Sequence, residues 1–418
     1  MSQTFKGDVT NNVVELNLQA GAANIGSSSY RLGNTNNGEI LTVTNGDFPD
    51  YNLGSNPYYN DANFRGLVIG TSCTTIGSYA FFYCWDWTAN GGLGAGLAGS
   101  LVIPDSVTSI GDSAFAQCIG LTGDLVIPDS VTSIGFYAFD GCSGFTGDLI
   151  ISNSVTSIRS KAFRNCSGLS GTLTIPNSVT EIGFNAFRGC SSFTGDLVIP
   201  NSVTSIRGVA FRDCGFTGTL TIPNSITIIE NQTFLFCSGL SGTLTIPNSV
   251  TEIGFNAFDG CSGFTGDLII SNSVTSIRSS AFRDCGFTGT LTIPNSITTI
   301  ETQTFMGCSG LSGTLTIPNS VTEIGFNAFR GCSSFTGDLV IPNSVTSIQT
   351  TAFRDCSGFT ALYINIPAAS WAGTNALQGT TALVNIYTGP NATGYDAAWK
   401  TAQGTTATVQ TWTNYPNI

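Results

Sequence analysis

The chain has 418 residues, 41% of them hydrophobic and only 10% charged, with 14 Lys+Arg against 26 Asp+Glu for a net charge of −12. That balance opposes phosphate-backbone binding, which needs clustered cations. The absence of histidine removes the commonest general base and the commonest transition-metal ligand.

The first residues, Met1 to Val9, hold no basic stretch followed by an apolar run, so no conventional signal peptide is expected. No run of about 18 apolar residues exists, so no membrane insertion is expected. Residues 1–65 do not follow the pattern of the rest and read as an N-terminal cap or anchor segment. Within them Val13, Val14, Leu16 and Leu18 are strand-like, as are Ile40, Leu41 and Val43. After Cys84 comes a Gly-rich apolar insertion from Gly91 to Gly99, read as a surface loop.

Residues 66–358 are periodic. Cys118, Cys142, Cys166, Cys190, Cys214, Cys237, Cys261, Cys285, Cys308, Cys332 and Cys356 recur every 23–24 residues, each three residues after a phenylalanine. Cys84 follows Phe81 in the same way. A fixed period of this size marks a solenoid whose units bury their apolar faces only against one another. In one unit, Leu125 and Ile127 alternate with Asp124 and Val126 as in a half-buried strand, and Pro128 ends it. Val131 and Ile134 point inward from a second extended stretch, and Ala138, Phe139 and Cys142 fill the far side. Phe139 belongs to a buried column that runs from Phe81 to Phe353, and the cysteines to a parallel ladder. Thirteen cysteines cannot all pair among themselves, so free buried thiols are the main reading, with disulfides between adjacent coils the alternative. Asn177 and its equivalents form a structural ladder at the corner after the proline.

The segment Ile-Pro-Asn-Ser-Val-Thr-Glu-Ile-Gly-Phe-Asn-Ala-Phe-Arg-Gly-Cys, Ile175 to Cys190, resembles the BspA-type leucine-rich repeats, and it recurs down the array. The resemblance implies a mainly β fold: a leucine-rich-repeat solenoid of about 12 coils, with non-repeat caps at both ends. It also implies a surface or secreted protein used in attachment, without catalytic residues to carry over. Three-coil blocks of near-identical sequence begin at Gly171, Gly242 and Gly313, which points to duplication of a coil cassette.

Outward positions of the first strand alternate between two types. Asp124, Asp148, Asp196, Asp267 and Asp338 mark one, each followed by Val or Ile two residues on. Thr172/Thr174, Thr219/Thr221, Thr243/Thr245, Thr290/Thr292 and Thr314/Thr316 mark the other. Together they form the candidate contact face for a protein or glycan; strand propensity alone is the competing account. Glu181 is expected beside Arg159 and Arg207, and Glu252 beside Arg278, as exposed pairs worth about 0–1 kcal/mol each.

Residues 359–418 read as degenerate repeats and a C-terminal cap, with a short helix over Tyr395 to Lys400. If exposed, Trp371, Trp399, Trp412 and Tyr415 are candidate aromatic contacts.

The composition and the resemblance lead to a non-enzymatic binding or adhesion protein without cofactor or metal. It would sit on a cell surface or on a virion or phage tail, with the cytoplasm left open. Its partner would be a protein or glycan, not nucleic acid. A self-assembling fibre joined through the caps is the alternative, and the Thr-x-Thr rows make an ice-binding face a minor third.

Overall fold

The computed structural model describes residues 67–82 and 97–411 in full. For Gly7–Asp8, Val13–Asn17, Glu39–Asn45, Asp86–Trp87, Leu93–Gly94 and the start of Phe64–Ile69 it describes the backbone alone. Two compact units divide the chain, Met1–Phe216 and Thr217–Ile418.

Each unit is a stack of β-coils, as the resemblance implied. In the coil of Cys142, Leu125–Val126 pairs in parallel with Leu149–Ile150, and Ser133–Ile134 with Ser109–Ile110. Leu125, Ile127, Val131, Ile134, Ala138, Phe139 and Cys142 are buried, which is the inward set read from the sequence. Val131 N–H closes a turn onto Pro128 C=O at 3.0 Å. Further round, the backbone turns through left-handed positions at the same place in most coils, including Tyr137, Lys161, Asn185 and Val209.

Three columns hold the N-terminal unit together. Phe115, Phe139, Phe163, Phe187 and Phe211 stack with centroids 5.3–5.6 Å apart and interplanar angles of 2–8°. A second buried row at the return turn includes Phe193 and Phe216, edge-on to the first, with Phe187 and Phe193 at 66°. The thiols form the third: Cys142 Sγ donates to Phe115 C=O of the preceding coil at 2.9 Å, and Cys166 Sγ to Phe139 C=O at 3.0 Å. The twelve described cysteines are free and buried; Cys84 lies outside the described residues. A buried thiol with a carbonyl partner behaves as a small, satisfied core group. At the corner the recurrent bond comes from the serine after the asparagine, as in Ser178 Oγ to Val155 C=O at 2.6 Å, while the expected asparagine ladder bonds turn backbone at Asn272, whose Oδ1 accepts Asn295 N–H at 3.1 Å.

Before the first coils, the strand-like stretches are strands. Glu39–Asn45 lies between Val13–Asn17 and Phe64–Ile69 in parallel register, and Gly7–Asp8 adds antiparallel to Val13–Asn17. They pair the edge that a bare solenoid would leave open.

The C-terminal unit repeats the same columns, with Phe258, Phe282, Phe305 and Phe329 stacked at 5.4–5.8 Å. It closes on a longer parallel sheet, Gly337–Ile341, Phe359–Ile364, Asn385–Thr388 and Thr408–Thr411. Helix Ala397–Gln403 follows Asp396, whose carboxylate caps it by accepting Trp399 N–H at 2.8 Å, and ends at Gly404 in the left-handed conformation.

The candidate binding face

The outward side of the first strand is the face that the sequence singles out. In the N-terminal unit, Val68 bridges to Val102, and Val126 is registered beside Ile150. Val68, Val102, Val126, Ile150 and Val198 are 42–65% exposed, and Thr174 continues their repeat position. Five β-branched apolar side chains therefore stand in water on a rigid lattice. The pleat explains why: Leu125 and Ile127 must face the core, so Val126 between them must face out.

Carboxylates border this row on both sides. Asp124, Asp148 and Asp196 precede the apolar positions, and Asp105 and Asp129 follow them past the proline. Apart from Arg65 at the start of Phe64–Ile69, no Lys or Arg lies on this strand stretch among the described residues of the unit. The aspartates also tie coils together, since Asp124 Oδ1 accepts Asp148 N–H at 2.9 Å. Each carboxylate keeps acceptor capacity beyond such a single bond.

In the C-terminal unit the same face is mostly hydroxyl. Thr221, Thr245, Thr292 and Thr316 occupy the outward column with Ile269, and Thr219, Thr243, Thr290 and Thr314 precede them, all exposed. Asp267 Oδ1 accepts both Thr290 N–H at 2.6 Å and Thr290 Oγ1–H at 2.9 Å, which holds its carboxyl below the ordinary range. Asp338 Oδ1 accepts from Thr360 Oγ1 at 3.0 Å. Val340, Tyr363, Tyr387 and Gln410 are cross-strand neighbours in that order, and the two tyrosine rings stack at 4.8 Å. In the N-terminal unit, Thr172 and Thr174 are exposed in the same way.

The C-terminal aromatics behave differently from a contact patch. Trp399 is only 8% exposed and packs edge-on against Trp371 at 5.4 Å and Tyr395 at 4.6 Å. Tyr395 OH donates to Ile366 C=O at 2.8 Å and accepts Trp371 Nε1–H at 3.1 Å, and burial pushes its phenol up. Trp399 and Trp371 are thus core of the closing segment, because an amphipathic seven-residue helix has little else with which to seal the last coil. Trp412 and Tyr415 lie outside the described residues.

Exposed aromatics stand instead on the corner after the second strand, Phe136, Phe184, Phe255 and Phe326 at 41–46% exposure, with Phe236 exposed at a different place in its coil. Reading the phenylalanines as one buried column hid them. Their signal is the Ile-Gly-Phe triplet, whose third position is Ser160, Ser279 or Thr302 in other coils. Where glycine stands the backbones close up, so that a Cβ on Gly183 would lie 2.5 Å from Ser160 N, whereas Arg159, Arg207 and Arg278 hold the same repeat position in other coils. Nearby, Arg207 Nε meets Glu181 Oε1 and Arg278 Nε meets Glu252 Oε1, both at 3.0 Å, as expected. Arg159 lies instead over the Phe136 ring at 5.0 Å.

A family model for the BspA type leucine rich repeat region matches in six copies, over residues 51–88, 97–214, 171–288, 241–360 and 311–397. The chain belongs to the BspA-type leucine-rich repeat family. Among solved structures, it is similar to a leucine rich cell surface protein from Faecalibacterium prausnitzii, with 22% identity over 98% of this chain and 100% of that one, at a TM-score of 0.50. A leucine-rich repeat protein from Bacteroides ovatus matches with 23% identity over 79% of this chain and 98% of that one, at a TM-score of 0.45. A comparison with curated proteins finds no match. BspA-type membership accounts for the coil and its buried columns, whereas the outward residues differ between the two units within this one chain.

Among the described residues no group of three or more His, Cys, Asp or Glu is placed to hold a metal ion. None of the described helices is long and apolar enough to cross a membrane.

Proposed function

We propose that this protein is a non-enzymatic binding protein of the adhesion type, displayed on a cell or particle surface. Its N-terminal strand face would dock a protein partner. The observation that carries this reading is the row Val68, Val102, Val126, Ile150 and Val198, exposed yet held in register. Water-exposed β-branched side chains on a rigid sheet lose little entropy on binding and gain about 25 cal/mol per Å² of apolar area covered. Carboxylates on both borders select a partner whose apolar side chains are flanked by Lys or Arg. Repetition along the stack lets several weak contacts act together. Burial of the thiols and the lack of histidine support a binding role over a catalytic one.

The test is binding of the immobilised full chain to a panel of purified extracellular-matrix proteins. At least one should bind, more weakly as salt rises. The variant Val126→Asp/Ile150→Asp/Val198→Asp should lose about tenfold or more in affinity with unchanged thermal unfolding. Equal binding by this variant would sink the assignment of the face.

A further inference from the structure

The corner of the N-terminal unit carries a different chemistry from its strand face. Phe136 and Phe184 project two coils apart, 41% and 46% exposed, and the coil between them presents Arg159, Ser160 and Lys161. One coil step measures 5.5–5.6 Å along the buried Phe139, Phe163, Phe187 column. The corner therefore alternates ring, cation, ring at that step.

These cations are unusual in an acidic chain. Arg164 is held by Asp140 at 2.6 Å, and Arg207 by Glu181 at 3.0 Å. Arg159 and Lys161 form no ion pair among the described residues. Arg159 lies over Phe136 at 5.0 Å. Lys161 Nζ sits 4.5 Å from the Tyr137 ring centroid and donates to Tyr137 OH at 2.7 Å. Acids of the neighbouring coils are already engaged: Asp112 Oδ1 accepts Phe136 N–H at 2.7 Å, Asp140 pairs with Arg164, and Glu181 pairs with Arg207. Two positive charges are thus parked on aromatic faces, with donor capacity left for an anion.

We propose that the Phe136–Arg159/Lys161–Phe184 corner binds an acidic polysaccharide in which uncharged sugars alternate with sugars bearing a carboxylate or sulfate. The uncharged sugars lay their C–H faces on the two rings, while the intervening anion takes Arg159 and Lys161. Planar guanidinium and carboxylate or sulfate match as paired donors and acceptors. A nucleic acid fits less well, because its phosphates are contiguous and the net charge of the chain is −12. This inference concerns a surface separate from the strand face and stands without it.

The test is calorimetric titration of the full chain with a size-defined hyaluronan oligosaccharide, which alternates glucuronate with an N-acetylated hexosamine. Its carboxyl-reduced form and an oligothymidylate are titrated in parallel. The acidic oligosaccharide should bind, and salt should weaken it. Phe136→Ser/Phe184→Ser and Arg159→Gln should each weaken it by about tenfold or more. Both changes import residues that other coils carry there, Ser160 and Gln349, so the coil tolerates them. Phe326→Ser, in the other unit, should leave binding intact. The strand-face triple variant should also bind the sugar normally, which separates failure of one reading from failure of the other. Absent binding, equal binding of the carboxyl-reduced sugar, full retention in the Ser variant, or equal affinity for oligothymidylate would overturn the proposal.

Discussion

Asp259 and Arg283 face each other across one coil step of the C-terminal unit. Arg283 Nη2 lies 2.8 Å from Asp259 Oδ2 and Nε donates to Oδ1 at 3.0 Å, with the Asp259 side chain 1% exposed. Asn256 Nδ2 donates to the same carboxylate at 2.8 Å. Removing the cation strands a buried charge, so Arg283→Ala should cost about 3–5 kcal/mol. The exposed pair Glu181–Arg207 should cost about 0–1 kcal/mol on Arg207→Ala. Urea unfolding of both variants checks this, and equal losses would refute the distinction.

The thiol ladder makes stability fall in alkali. Burial, the largest cause, pushes Cys142, Cys166, Cys190, Cys261, Cys285, Cys332 and Cys356 upward, and neighbouring thiols add to it in several. Below about pH 8.5 folded and unfolded thiols are both protonated, and they contribute no pH dependence. Above it the unfolded chain releases protons that the folded chain retains. Stability then falls by about 1.4 kcal/mol per thiol per pH unit. Cys190→Ala should flatten the measured slope by one thiol, apart from its cavity cost. An identical slope would contradict the assignment.

Val209 holds φ at 64°, where a β-branched side chain is strained, while Asn185 holds the equivalent place one coil earlier at 57°. Asparagine tolerates the left-handed region. Val209→Asn should therefore stabilise the protein by about 1 kcal/mol, read as a higher urea midpoint. A lower midpoint would mean that packing of the valine outweighs its strain.

Gly183 is needed for closeness rather than for dihedral freedom. An added Cβ would lie 2.5 Å from Ser160 N and 2.7 Å from Arg159 C, both backbone atoms that cannot swing away. Gly183→Ala should cost about 1–3 kcal/mol through overpacking. Retained stability in a thermal melt would show that the coils can separate.

Much of the coil could be read in one dimension. Leu125, Val131, Ile134, Phe139 and Cys142 are buried as their spacing required, because each repeat can hide its apolar residues only against the next. The strands at Val13–Asn17 and Glu39–Asn45 were legible for the same reason of alternation. The outward Asp and Thr positions are exposed at all but Asp338, which is half-buried, since the pleat leaves them no other side.

Tertiary structure alone decided how those outward groups are used. It committed Asp124 and Asp267 to the next coil, sank Trp399 beneath the last one, and brought Arg159 onto Phe136 from the coil after it. Periodicity reports which way a side chain points. It carries no record of which partner from a neighbouring coil meets it there, because that depends on contacts made some 24 residues away, at distances only the stacked backbone sets.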